Sequence, residues 1–242
     1  YNAILEGNDL FLAASAEGVI KLDASDTSNL TFSAGQKMGM ANIQDIISAG
    51  DHLVAIDSSN GLFVLDPTDL SVLDASATHT GRRLFYDGTH VYLARESNGI
   101  AIVTIDGGGN ISAVTNTNGS FDLSSRNIKD VLKQDDTLFL ADSNGYLVAV
   151  DAADPTNLSV LDATGDGSGS LENMTIKNSS IYVAGSNIYV FGIDDVEDLF
   201  YKGSLTTQAG YTKGVAVTGN YVYAADSSSS IGSGISVHQK LD

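Results

Sequence analysis

Residues 136–164 read DTLFLADSNGYLVAVDAADPTNLSVLDAT, and residues 51–78 read DHLVAIDSSNGLFVLDPTDLSVLDASAT. Residues 8–35, NDLFLAASAEGVIKLDASDTSNLTFSAG, are a third copy. A looser copy starts at Thr89 (THVYLARESNGIAIVTIDGGGNISAV). Degraded ones start at Ser180 (SIYVAGSNIYVFGIDDVEDLFYKG) and Asn220 (NYVYAADSSSSIGSGISVHQKLD). Anchored on the residue before the second apolar run, the copies fall at Gly18, Gly61, Gly99, Gly145, Asn187 and Gly234. The spacings of 43, 38, 46, 42 and 47 residues lie in the range of propeller blades. A β-helix coil would be about half as long, and an α-solenoid would need helical patterning that these runs lack.

Each copy holds four strands. A short apolar run, such as Ile43–Ser48 or Arg83–Tyr86, precedes the motif. The next run reads LFLA, LVAI, VYLA, LFLA, IYVA and VYAA in turn. Near-continuous apolar runs mark strands buried on both faces, as the middle strands of stacked blades must be. The turns SAEG, SSNG, ESNG and DSNG follow, and Asn-Gly before an apolar run is a strong hairpin signal. The segment SRNIKDVLKQDD places Ile128, Val131 and Leu132 at helical spacing. The repeat register argues for a strand there, because the same slot elsewhere holds RRLFYDG or MTIKNS.

The expected fold is therefore all-β: one six-bladed β-propeller over residues 1–242. Its blades span approximately 1–36, 37–77, 78–118, 119–164, 165–206 and 207–242. Residues 1–7 take the innermost position of the first blade. The last blade has three strands by this count and lacks its outer one.

The 242 residues carry 12 Lys and Arg against 30 Asp and Glu, a net charge of −18. Nucleic acid and anionic membranes are poor partners for such a chain, because phosphate binding needs clustered cations. There is no apolar run long enough to span a membrane as a helix. The absence of cysteine removes disulfides, thiolate metal sites and cysteine nucleophiles. The start at Tyr1, without a basic or signal-like segment, suggests a mature form or an excised module.

The segments DSNGYLVAVDAADPTNLSVL and SSNGLFVLDPTDLSVL resemble LVIVD repeats, in which a Gly is followed by LVIVD and an Asp-Pro turn. The resemblance is good at 51–76 and 136–163, fair at 8–35 and 89–114, and poor after 180. It implies a propeller of a bacterial or archaeal secreted or surface-attached protein. It carries over no catalytic residues, and a fold alone does not license an activity.

Asp23, Asp66, Asp106, Asp151 and Asp194 recur after the third strand. A cation site in each blade is one reading; an Asx turn that ends the strand is the favoured one. In DATGDGSGSLEN, Asp162, Asp166 and Glu172 are weak candidates for a calcium loop, Glu172 falling one residue short of the bidentate position. No cofactor is required by the sequence, and calcium is the one for which it offers candidate residues. His52 and His90 sit at equivalent positions of neighbouring blades, one blade apart and too far to share a zinc ion; His79 and His238 complete the histidines. The six N-x-S/T sequons are expected by chance in a chain this rich in Asn, Ser and Thr.

No HExxH, GxSxG, P-loop or GxGxxG motif is present, and the protein is not expected to be an enzyme. The loops leading into the first strands offer Asn42, Gln44, Asp45, Arg126, Asn127, Asp130, Glu172 and Asn173, but no spacing singles out a catalytic set. Those loops and the turns between second and third strands share one face. That face carries Lys37, Arg82, Arg83, Arg95, Arg126 and Lys213, half the cations of an acidic protein. Such a basic mouth could hold an anionic ligand, unless each cation pairs with a nearby acid. The function expected is an extracellular or cell-surface adhesion or ligand-binding module. It would be a monomeric part of a larger chain, taking a protein or glycan ligand on the loop face. The rivals are a calcium-dependent hydrolase or lyase acting in the central channel, and a structural spacer.

Overall fold

The computed structural model describes residues 2–37, 39–165, 169–207, 211–227 and 234–240. They form six antiparallel sheets in chain order. The first comprises β1 (Ala3–Glu6), β2 (Asp9–Ala13), β3 (Val19–Asp23) and β4 (Thr31–Gln36); the second β5 (Ile43–Ala49), β6 (His52–Asp57), β7 (Gly61–Leu65) and β8 (Val72–Ser76). The third comprises β9 (Arg83–Tyr86), β10 (Val91–Ala94), β11 (Ile100–Ile105) and β12 (Ile111–Val114); the fourth β13 (Ile128–Gln134), β14 (Thr137–Asp142), β15 (Tyr146–Asp151) and β16 (Ser159–Gly165). The fifth comprises β17 (Asn173–Lys177), β18 (Ser180–Ala184), β19 (Ile188–Gly192) and β20 (Phe200–Leu205). The last has three strands, β21 (Thr212–Thr218), β22 (Tyr221–Asp226) and β23 (Gly234–Gln239). The helically spaced segment around Ile128 is strand β13, so tertiary burial overrides its ambiguous local pattern. Among the described residues no helix is long and apolar enough to cross a membrane.

Blades one to three lie in one compact unit (Tyr1–Glu96, Ile100–Thr115) and blades four to six in another (Ser97–Gly99, Asn116–Asp242). Within each unit the continuous apolar runs stack face to face. In the second unit Phe139, Ala141, Leu147 and Ala149 of blade four meet Ile181, Val183, Tyr189 and Phe191 of blade five, all at most 1% exposed. In the first unit Val54, Ile56, Leu62 and Val64 of blade two meet Leu84, Val91, Leu93 and Val103 of blade three. Each fully buried side chain of this kind contributes about 1.5–3 kcal/mol, so stacking dominates stability.

Blades two, four and six differ from their neighbours in a common way. Their second strands end in Asp57, Asp142 and Asp226, spaced 85 and 84 residues apart, where blades one, three and five end in Ala13, Ala94 and Ala184. Their first strands carry a bulge, at Ile43/Asp45, Ile128/Asp130 and Thr212/Gly214; the first strands of the other three run in unbroken register. The carboxylate explains the bulge. Asp57 accepts the N–H groups of Ala41, Asn42, Ser59 and Asn60, drawing the preceding loop into the sheet end. Asp142 does the same with Asn127 N–H and Asn144 N–H, and Asp226 accepts from the Thr212 hydroxyl. An extra residue on one strand accommodates the drawn-in chain. The repeat unit is thus a pair of unlike blades, written three times.

Aspartates also join blades. Asp45 and Asp130, on the bulges, accept Leu84 N–H (2.8 Å) and Met174 N–H (2.6 Å) from the first strand of the next blade. On the outer strands Asp74 accepts Ile111 N–H and Asp162 accepts Leu199 N–H, each at 2.8 Å. Burial pushes the Asp45 carboxyl up, against the pull of Arg83 and the N–H donors.

Candidate functional site

At one end of every described blade from one to five lies the turn between third and fourth strands. Backbone N–H groups two residues on close onto Asp23, Asp66, Asp106 and Asp151 at 2.7–3.0 Å. Asp26, Asp69 and Asp154 repeat the device one step later in their turns. In blade five Asp195, rather than the neighbouring Asp194, accepts Glu197 N–H. These are Asx turns, and the local donors hold Asp23, Asp26, Asp69, Asp106 and Asp154 below the usual carboxylate range. The recurring acids end strands.

The opposite end carries the non-repeating loops and the cations. In the first unit Lys37 pairs with Glu17 at 3.2 Å on the surface. Arg82 stands 3.7 Å from Glu96. Arg83 is largely buried, 3.9 Å from Asp45, and its Nη1 donates to Gln44 O. Arg95 is held differently. Its Nε donates to Thr80 O (3.1 Å) and its Nη2 to Thr78 O (2.8 Å), and no carboxylate among the described residues pairs with it. Partial burial lowers the Arg95 pKa, and burial, helped by the Arg95 charge, lowers that of His79. His79 Nδ1 bonds Ser76 Oγ at 2.6 Å. Gly81 lets this loop lie close to blades two and three: a Cβ there would meet Ile56 Cδ1 of the one and Ala94 O of the other, each at 2.7 Å.

In the second unit Arg126 bonds Asp142 at 3.3 Å and covers the Tyr146 ring, its Cζ 4.8 Å from the centroid. Lys213 lies over the Tyr211 ring at 4.3 Å. Tyr211 donates its hydroxyl proton to Glu172, a buried carboxylate that also accepts from Ser170. Asp162, the other described residue of the calcium-loop reading, sits on β16 with one oxygen on Leu199 N–H. Asp166 lies outside the described residues. Among the described residues no group of three or more His, Asp or Glu side chains converges as a metal site would require.

Sequence reasoning missed two things here. One is the cross-blade role of Asp45 and Asp130, which it grouped with the loops. The other is the alternation of Ala and Asp at the second-strand ends. That signal stood in the aligned runs, but a single-blade register averages it away.

A family model for the LVIVD repeat matches residues 126–162 and 209–231, that is, blades four and six, two of the three Asp-ended blades. No curated protein sequence matches the chain. Among solved structures, the β-propeller domain of Cps50 (Swd1) from Myceliophteria thermophila aligns with a TM-score of 0.65 at 14% identity, over 93% of this chain and 81% of that one. A Bacteroides fragilis protein described as a candidate 6-phosphogluconolactonase aligns with a TM-score of 0.74 at 15% identity, over 96% and 78%. A similarly described Bacteroides uniformis protein gives 0.72 at 15%, over 93% and 75%. Likeness at such identities carries the fold and no activity. The chain is a six-bladed, all-β propeller whose fourth and sixth blades match the LVIVD repeat, the last blade three-stranded among the described residues.

Proposed function

We propose that this propeller is an extracellular interaction module that takes an anionic group of a protein or glycan ligand at its loop end, around Arg95. Arg95 itself carries the reading. In a chain of net charge −18, a partly buried guanidinium is oriented by two backbone carbonyls and pairs with no carboxylate among the described residues. Carbonyls fix its plane without neutralising it. A ligand carboxylate would supply the missing charge in the bidentate geometry a guanidinium favours. Arg82, Arg83, Arg126 and Lys37 already have acids beside them and contribute through the general field. The typical secreted setting of LVIVD repeats supports a place outside the cytoplasm.

The test is binding of an oligoglutamate peptide and of an oligogalacturonate to wild type and to Arg95→Gln. At least one probe should bind, weaken with rising salt, and lose about tenfold or more in affinity in the variant. Equal binding by the variant refutes the reading.

A second reading, a hydrolase or lyase, draws on Glu172, buried and hydrogen-bonded to Tyr211 and Ser170. Turnover of a sugar-lactone panel that Glu172→Gln abolishes would establish it instead.

A further inference from the structure

Arg95 is clasped by the loop that also carries His79. The carbonyls it takes, Thr78 O and Thr80 O, belong to the residues on either side of His79, so the guanidinium lies along that stretch of backbone. These bonds use Nε and one proton of Nη2. The protons left on Nη1 and Nη2 form the end of the fork, an edge that can receive two oxygens of one anion.

His79 is bonded on one side only. Its Nδ1 lies 2.6 Å from Ser76 Oγ and 3.4 Å from Thr78 Oγ1, and the two hydroxyls are 3.3 Å apart. Nε2 has no protein partner among the described residues, and the residue is only partly buried. A hydroxyl can turn either way. With the ring neutral, Ser76 donates to Nδ1 and the ring proton sits on Nε2. With the ring charged, Ser76 accepts from Nδ1. In both states Nε2 has a proton to donate.

Few charges act on this ring. Arg95 does so from the turn between β10 and β11. On the His79 loop, Arg82 stands 3.7 Å from Glu96, which neighbours Arg95. No carboxylate among the described residues pairs with His79 itself. Burial and the Arg95 charge both weigh against the protonated ring. An anion on the Arg95 fork would cancel the second of these.

We propose that His79 is the second contact of the Arg95 site: its Nε2–H meets the anion beside the guanidinium, and the ring takes a proton from solvent as the anion binds. This rests on the Arg95 reading of the ligand and adds its regulation. By linkage, the anion raises the proton affinity of the ring by the same factor by which the proton raises the affinity for the anion. The module therefore holds its ligand more tightly as the surroundings turn acid.

The test is calorimetric titration with oligogalacturonate and with oligoglutamate, from about pH 8 to about pH 5.5, above the ordinary carboxylate range. Wild type, His79→Gln and Arg95→Gln are each run in two buffers of unlike ionisation heat, which reads the protons taken up. Wild-type affinity should rise about fivefold or more across this range, with net proton uptake. Both effects should vanish in His79→Gln, which still binds at about pH 8. The proton uptake of wild type needs no variant to fold, and the histidine ring-proton signals should show one group titrating at higher pH with probe bound. Arg95-dependent binding without proton uptake, or an unchanged pH slope in His79→Gln, would overturn this inference and leave the Arg95 reading standing. No binding, or binding indifferent to Arg95→Gln, would overturn both.

Discussion

Replacing Asp130 by Ala tests the account of how blades are joined. The Asp130 carboxylate accepts Met174 N–H at 2.6 Å, Asn173 Nδ2–H at 3.1 Å and Val131 N–H at 2.9 Å, and is 3% exposed. The first two donors belong to the next blade. A hydrogen bond to a charged group contributes about 1.5–3 kcal/mol, and a buried donor left without an acceptor costs about 1–3 kcal/mol. Removing the carboxylate also removes its own burial penalty, which offsets part of the loss. The net expectation for Asp130→Ala is about 2–4 kcal/mol. For a domain of this size that is on the order of 4–16 °C in Tm, at roughly 2–4 °C per kcal/mol. Urea denaturation of Asp130→Ala, Asn173→Ala and the double variant gives the coupling directly. Because Asn173 both donates to Asp130 and accepts Val215 N–H from blade six, the two substitutions should couple by about 0.5–3 kcal/mol. The exposed Asx residue Asp154 is the control, and its replacement by Ala should cost far less. If Asp130→Ala costs no more than Asp154→Ala, blade stacking alone holds the junction and the carboxylate link is wrong.

Asp57 has its pKa lowered because four backbone donors outweigh its burial. A carboxyl depressed in the folded state stabilises above its unfolded pKa, and that stability is lost as pH falls through the folded value. The cost of Asp57→Asn should therefore hold steady from pH 7 down to about 4 and shrink below that; a cost growing on acidification would contradict the assignment. Gly61 has φ +107° and a Cβ there would strike Ser76 O, whereas Gly88 has φ +98° and open space around it. Gly61→Ala should lower Tm clearly more than Gly88→Ala, and similar shifts by calorimetry would mean that backbone strain alone governs both. Millimolar calcium after EDTA should move Tm by less than about 2 °C, because Asp162 and Glu172 already receive protein donors. A rise of roughly 5–10 °C would place calcium on the protein.

The sequence was legible where a residue's role is local. The Asx turns at Asp23 and Asp66 and the positive-φ turn at Gly145 follow from residue type and short-range spacing, and the strands between them follow from apolar runs. The register of Asp57 against Ala94 was also printed in the chain, but its meaning depends on a bulge that no local pattern announces. The loop end was the hardest to read. Six cations on one face look like one basic mouth, yet Arg83 and Asp45 lie 38 residues apart in sequence and meet only when blades stack. Counting charges on a face cannot distinguish a committed arginine from one such as Arg95.

The alternation of blades gives this division a physical basis. A propeller of identical blades must meet every junction with the same contacts, so a change made for binding at one loop spreads its cost to all the packing. Here Asp45, Asp130, Asp74 and Asp162 bear the joints from blade two to three and from four to five. The blades that receive them present backbone N–H groups, which any sequence supplies. Receiving blades can therefore vary in side chain without losing the joint, and Arg95 with its Thr78–Thr80 loop lies at one of these, blade three. Blade six keeps the Asp226 anchor but has Gly214 where Asp45 and Asp130 stand, so it has no inner carboxylate to pass on.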